Sequence, residues 1–256
     1  MGKTTDILGV IPARWESKRF PGKSLAMLKG KPLIQWVWER AVQVKGVSKW
    51  LVATDDQRIF NVVIGFGGQA VMTSSHHASG TDRIVEVIEK RQENIIVNIQ
   101  GDEPLLEPAT IETILSALES NRDAQVGTAA FPIRSVVELD DPNVVKVMLD
   151  LNNRALAFSR SPIPYVRDRE SHQSWLDLGI HYCHIGCYVY RREALLQFSR
   201  WSPGPLELAE KLEQLRFLEH GIPMVCVVVN QGSPGVDTPE DLKRIEQFIE
   251  IASLRS

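Results

Sequence analysis

The stretch Leu8–Lys23, LGVIPARWESKRFPGK, decides how the rest of the chain is read. Leu8 to Ile11 is a short apolar run of buried-strand type, broken by Pro12. The loop that follows carries four cations, Arg14, Lys18, Arg19 and Lys23, separated by the small or turn-forming residues Ala13, Ser17, Pro21 and Gly22. A strand that empties into a basic, turn-rich loop is how an α/β sheet presents a phosphate site. A solvated basic surface loop has the same spacing. Acidic residues further on, able to hold a metal against the same phosphates, favour the phosphate site.

The chain has 256 residues, 43% of them hydrophobic and 24% charged, which fits one soluble α/β unit. A formal net charge of −3 argues against a nucleic-acid partner, so the basic loop is expected to serve something small, a nucleotide. No apolar run approaches the roughly 18 residues of a membrane span, and no membrane partner is expected. The opening MGKTTDILG has no signal-peptide core, and Gly2 is followed by Asp6 where a myristoylation motif wants Ser or Thr. Three cysteines, Cys183, Cys187 and Cys226, fit a reduced, cytoplasmic protein.

Onward from the loop, strand and helix alternate. Pro32–Val44 has helical apolar spacing, Lys49–Thr54 reads as a strand, Arg58–Ile64 as a helix and Ala70–Thr73 as a strand. The polar loop Ser74–Arg83 leads into a helix with Ile84, Val85, Val87 and Ile88 on its apolar face, capped by Ser79 or Thr81. Ile95–Ile99 is a strand followed by Gln100-Gly101-Asp102-Glu103-Pro104, and Pro108 opens a helix to about Ser120. This order predicts a Rossmann-like α/β fold, a mostly parallel sheet with helices on both faces and ligands beyond the carboxyl ends of its strands.

The second half is less regular and is expected to hold an inserted, smaller antiparallel lobe over roughly 132–190 within one domain. Val144–Asp150 and Ala155–Arg160 flank LNNR as a hairpin, and Tyr165–Gly179 reads as a loop. Alternation along His181–Arg191 places Cys183, Ile185, Cys187 and Val189 on one face, and Tyr182, His184, Gly186, Tyr188 and Tyr190 on the other. That separation of His184 from both cysteines disfavours a zinc site. Glu207–Gly221 reads as one helix with a stripe of Leu208, Leu212, Leu215 and Leu218, and with Glu207, Glu210 and Gln214 on another face. Pro223–Val229 is a last strand, and Pro239 opens a terminal helix.

Asp102 and Asp237 fall at strand ends in separate halves of the chain. Two hard oxygen donors facing a basic loop suit Mg²⁺ shared with phosphate oxygens, and metal-assisted attack at an α-phosphorus. Turn or N-cap roles are the alternative, above all for Asp237 before Thr238-Pro239.

The run Ile11-Pro12-Ala13-Arg14, Ser17, Arg19 and Pro21-Gly22-Lys23 resembles the signature of the sugar-acid cytidylyltransferases, with Trp15, Glu16 and Lys18 in its variable places. VATDD, SGTDR, VNIQGDEP, VKVMLD, AFSR, HIGCYVYR, PLELAEKLEQLR and GVDTPEDL extend the resemblance in order to residue 242, towards the branch that acts on 3-deoxy-manno-octulosonate (Kdo). The resemblance implies the reaction of CTP and Kdo to CMP-Kdo and pyrophosphate, with Mg²⁺ on Asp102 and Asp237. It implies triphosphate contacts from Arg14, Arg19 and Lys23, the backbone at Ala13 close by, and Ser79, Gly80, Thr81 and Arg83 near the nucleotide. Asp102, Asp237, Lys23 and Arg19 would be the catalytic set. Gln100, Arg160, His184, Tyr188, Glu207 and Gln214 would line the sugar pocket, with Arg160 on the carboxylate. It also implies a homodimer in lipopolysaccharide synthesis. Ser74–His77 and the loop 165–179, with Arg167 and Arg169, match nothing in the family pattern. Another 2-keto sugar acid, such as 8-amino Kdo or a sialic acid, is the neighbouring substrate reading; a non-catalytic nucleotide-sugar sensor is the reading from a different class.

Overall fold

A computed structural model describes residues 6–16, 19–77 and 79–253, with side chains through residue 250. The start of the chain, and Ser17 and Lys18 of the first motif, lie outside the described residues. The fold divides into two compact units, one up to Ala109 together with the segment from Ser233, the other Thr110–Gly232.

In chain order the first unit contains β1 (Ile7–Ala13), β2 (Met27–Leu28), β3 (Lys31–Pro32), α1 (Leu33–Ala41), β4 (Lys49–Thr54), α2 (Gln57–Gly65), β5 (Ala70–Met72), α3 (Gly80–Glu89) and β6 (Ile95–Asn98). The second follows with α4 (Pro108–Ser120), β7 (Val126–Pro132), α5 (Val136–Asp140), β8 (Lys146–Leu149), β9 (Ala155–Ser159), α6 (His172–Leu176), β10 (Tyr182–Arg191), α7 (Arg192–Phe198), α8 (Pro205–Glu210), α9 (Gln214–Glu219) and β11 (Met224–Val228). The chain returns to the first unit with α10 (Pro239–Ser253).

The strands of the first unit are parallel in the order β6-β1-β4-β5, so the α/β expectation holds. β1, β4 and β5 step outward one way, and β6 then pairs on the other side of β1. The interval between β1 and β6 is therefore a topological switch point, where loops diverge and leave a crevice. β2 and β3 form a separate two-stranded antiparallel sheet. Leu28, Leu33, Val236 and Ile245 make a buried cluster, with Phe20, Trp36, Leu105, Leu242 and Ile249 packed around it. This cluster ties α10 to the segment after the basic loop.

β1 does not stop at Pro12 but runs to Ala13, with Pro12 opposite Ala53. The carbonyl of Val10 accepts from Ile99 N, so Val10 and, two residues on, Pro12 turn their backbone polar groups towards β6. Pairing with β6 ends at this level, so the donor that proline lacks has no carbonyl waiting for it.

In the second unit β7 lies between β10, antiparallel to it, and β11, parallel to it. The expected hairpin is present as β8 and β9, antiparallel, with β8 on β10. The strand β7, VGTAAFP, carries no alternation that a reading of the sequence could follow, although it organises this unit. Tyr165–Gly179 is not only loop: α6 forms within it, and Trp175 is buried with Ile133 and Leu139.

The single helix expected over Glu207–Gly221 is two. α8 ends at Glu210, Lys211 adopts a left-handed conformation (φ 55°, ψ 46°), and α9 starts at Gln214. Leu208 is accordingly 52% exposed and not part of the buried stripe. Glu219 stabilises the break by accepting Leu206 N at 2.8 Å and Glu207 N at 3.3 Å, supplying the N-terminus of α8 with acceptors. A non-glycine residue in this conformation costs about 1 kcal/mol. Lys211→Gly is therefore expected to raise the unfolding free energy in urea titrations by about 0.5–1 kcal/mol. A loss of stability in that variant would contradict the assignment.

Candidate active site

Three segments of the first unit meet at the switch point. The Lys23 ammonium, on the loop after β1, lies 2.5 Å from Asp102 Oδ2, 3.2 Å from Asp237 Oδ1 and 3.1 Å from the Val236 carbonyl. Arg19 Nη2 reaches Asp237 Oδ2 at 2.8 Å. Lys23 and Asp102 are 15% and 27% exposed, Arg19 and Asp237 56% and 50%, so the cluster has a sheltered end and an open one. Arg14 is exposed and Ala13 is buried at the end of β1.

Each carboxylate is placed by its backbone. Val236 N donates to the Asp102 carbonyl at 2.8 Å, which sets Asp237 beside Asp102. Gly101 has no room for a side chain, because a Cβ there would stand 2.8 Å from the carbonyl oxygen of Pro12. The alternative role for Asp237, as a cap, is taken by its neighbour. Thr238 Oγ1 accepts Asp241 N at 3.2 Å, while Asp241 Oδ2 accepts Thr238 N at 3.0 Å, a reciprocal box at the start of α10. The Asp237 carboxylate is left for Arg19 and Lys23.

Glu103 lies next to Asp102, buried, with Oε2 unpartnered. Burial, reinforced by the Asp102 charge, pushes its pKa up to about 8, so at neutral pH it adds no full charge. Lys23 and Arg19 therefore balance Asp102 and Asp237, and a polyphosphate entering here would need further positive charge.

The SGTDR loop opens α3. Ser79 is the cap, accepting Asp82 N at 3.1 Å, which decides between Ser79 and Thr81. A Cβ on Gly80 would be in contact with Pro12, so this helix start lies against the end of β1. Thr81 is buried. Arg83, expected near the nucleotide, is 2% exposed, with its guanidinium on Asp55 at 2.6 Å and on Thr73. It is a buried tie between α3 and the ends of β4 and β5, not an open phosphate ligand. The Ser74–His77 stretch has a structural account: Glu86 accepts Ser74 N at 2.9 Å and meets His77 Nε2 at 2.5 Å. Gln100 follows β6, half-buried, with its carbonyl accepting Glu103 N.

In the second unit His184 and Tyr188 share a face, with ring centroids 5.5 Å apart, despite a bulge between Ile185 and Tyr188. Thr128 Oγ1 lies 2.9 Å from both His184 Nε2 and the Cys187 carbonyl. The single proton of this hydroxyl is shared among the imidazole and the carbonyls of Ile185 and Cys187, so Thr128 fixes the position of the ring. Burial against Phe158 and Tyr188 pushes the imidazole pKa down to about 3. Thr128, which sequence reasoning did not single out, thus anchors the His184 ring.

Both oxygens of the buried Glu207 receive Arg216, at 2.6 and 2.5 Å, so this carboxylate joins α8 to α9. Gln214 is buried at the start of α9 and, with the helix broken, is not on one helical face with Glu207 and Glu210. Glu210 accepts Ser159 Oγ at 2.6 Å and Arg160 N at 2.9 Å. Arg160 gives Nε to the Glu210 carbonyl and Nη1 to the Pro142 carbonyl, which aims its guanidinium.

A parallel α/β unit with a cationic loop and two carboxylates at its switch point has the parts of a nucleotidyltransferase. The comparisons are specific. The chain belongs to the cytidylyltransferase family, whose profile matches residues 8–227. It is 48% identical over 249 residues to the 3-deoxy-manno-octulosonate cytidylyltransferase of Geobacter sulfurreducens, covering 94% of this chain and 98% of that one. The enzyme of the same name from Geobacter metallireducens is 48% identical over 248 residues, covering 93% and 96%. Among solved structures, a CMP:2-keto-3-deoxy-manno-octonic acid synthetase complexed with CTP superposes with a TM-score of 0.90 at 42% identity, covering 96% of this chain and 99% of that one.

Two outcomes are expected from this geometry. Gly101→Ala must displace either Asp102 or the end of β1, and is expected to lower turnover about 10-fold or more in a protein that still folds; unchanged turnover would show that the approach is not limiting. His184, whose pKa is depressed from 6.5, favours the folded state above that pH and loses the contribution as pH falls towards 3. The fall in unfolding free energy from about pH 7 to about pH 5 is therefore expected to be smaller in His184→Gln than in the wild type, and an equal fall would contradict the assignment.

Proposed function

We propose that this chain transfers a cytidylyl group from CTP to the anomeric hydroxyl of Kdo, giving CMP-Kdo and pyrophosphate for lipopolysaccharide synthesis. The carrying observation is the convergence of Lys23, Arg19, Asp102 and Asp237 at the switch point. It is joined by similarity, over nearly the whole chain, to enzymes named for Kdo and to a structure complexed with CTP.

In the reaction the hydroxyl oxygen bonds to the α-phosphorus while the bond to the bridging oxygen of the β-phosphate breaks. Pyrophosphate leaves with that electron pair, and the hydroxyl proton passes to solvent water. Arg14, Arg19 and Lys23 supply positive charge for the triphosphate, and the backbone amides at Gly80 and Thr81 add the donors of a helix start. Such catalysis is largely positioning and charge neutralisation.

The residues fit a magnesium ion. Two carboxylates and the Val236 carbonyl already surround a cationic group, and hard oxygen donors of this kind suit Mg²⁺. Asp102 and Asp237 would hold it, and when bound it would neutralise phosphate charge and polarise the α-phosphoryl group. For the sugar acid we assign Arg160, His184, Tyr188 and Gln214 of the second unit, with Glu207 acting through its pair with Arg216. Arg160 takes the carboxylate, and the neutral His184 forms a hydrogen bond with a sugar hydroxyl without gaining its proton.

The proposed assembly is a homodimer, supported by the exposed Leu151, Leu156 and Tyr165 of the second unit; a monomeric mass in light scattering would overturn it. The proposed location is the cytoplasm, where CTP is available, and among the described residues no helix is long and apolar enough to cross a membrane.

The test is pyrophosphate release from CTP and Mg²⁺ with Kdo, 8-amino Kdo and N-acetylneuraminate offered in parallel. Release with Kdo is expected. Release only with another acid would change the acceptor, and none with any acid, in folded protein that binds CTP, would favour a sensor. Asp102→Asn is expected to lower turnover by about 10²-fold or more, and near-normal turnover would remove Asp102 from the machinery.

A further inference from the structure

Trp15 lies in the variable part of the first motif, yet its ring is held on two sides. The Arg58 guanidinium stacks 3.3 Å above its ring centroid. Arg58 is itself held by Asp56, which accepts Nε at 2.9 Å and Nη2 at 2.6 Å and caps α2 by accepting Arg58 N at 2.8 Å. The Trp15 ring also packs on Gly22, where a Cβ would come within 2.8 Å of Cη2, and the Trp15 carbonyl accepts Gly22 N at 2.9 Å. Gly22 has φ of 71° and caps the 3₁₀ turn that begins with Lys23. A left-handed glycine under an aromatic ring admits no side chain on either ground.

We infer that Trp15 and Arg58 are positioning residues, a clamp that ties the basic loop to the start of α2 and presets Lys23 and Arg19 for the triphosphate. Asp56 fixes the plane of the guanidinium, the guanidinium fixes the indole, and the indole fixes Gly22 and with it the backbone that leads into Lys23. None of the four residues needs to touch substrate. The inference rests on the triphosphate reading of that loop, but the clamp itself is a property of the protein alone.

The test combines nucleotide-free hydrogen exchange at amides 19–25 with steady-state kinetics, for Arg58→Gln, Trp15→Ala, Trp15→Phe and the double variant Trp15→Ala/Arg58→Gln. Arg58 is well exposed, so its substitution is expected to leave the fold intact. In Arg58→Gln the amides are expected to exchange about 10-fold faster, and KM for CTP to rise about 10-fold while kcat changes less than about 2-fold. Trp15→Phe is expected to stay close to the wild type, Trp15→Ala to match Arg58→Gln, and the double variant to be no worse than either. A raised KM with unchanged exchange, or additive effects, would overturn the clamp and make Arg58 a direct nucleotide contact. No change in either readout would reduce the stack to surface packing. If the wild type fails to turn over CTP, the triphosphate reading falls, and the exchange data still decide the clamp.

Discussion

The first unit depends on one electrostatic arrangement, the Lys23 ammonium held between the carboxylates of Asp102 and Asp237. These residues come from three segments far apart in sequence, and nothing local would bring two carboxylates together. Their mutual repulsion has to be offset by a cation, and at this partly sheltered position the offset is stronger than on an open surface. Parallel pairing of β1 with β6 brings two of the segments together, and the hydrogen bond from Val236 N to the Asp102 carbonyl brings the third. The apolar cluster of Leu28, Leu33, Val236 and Ile245 holds that third segment from below.

Charge balance then says what the site can accept. With Glu103 protonated by burial, the two cations and two carboxylates cancel, so a triphosphate entering there needs further positive charge. In the second unit, the imidazole of His184 and the guanidinium of Arg160 are each held by main-chain or hydroxyl partners.

Much of this was legible in the sequence where the signal is local. Apolar runs located β1, β4 and β6, and strand alternation alone put His184 and Tyr188 on one face. Whether Ser79 or Thr81 caps α3, and whether Asp237 caps α10, depended on which side chain meets which amide, and the spacing admitted both. Other features were hidden because tertiary context decides them. β7 is built from small residues that show no alternation, and the break at Lys211 follows from Glu219 reaching back to α8. Arg83, which the resemblance placed near the nucleotide, is buried on Asp55, a pairing that the packing of α3 against β4 creates. Trp15 looked variable, and its partner Arg58 is more than forty residues on, in α2.

The most direct test of the account is divalent-ion binding in the presence of CTP, followed by Mn²⁺ electron paramagnetic resonance in the wild type, Asp102→Asn and Asp237→Asn. If the two carboxylates serve one cation, each variant loses most of the CTP-dependent binding that the wild type shows. Wild-type binding in either variant would contradict the shared site and return that aspartate to a structural role.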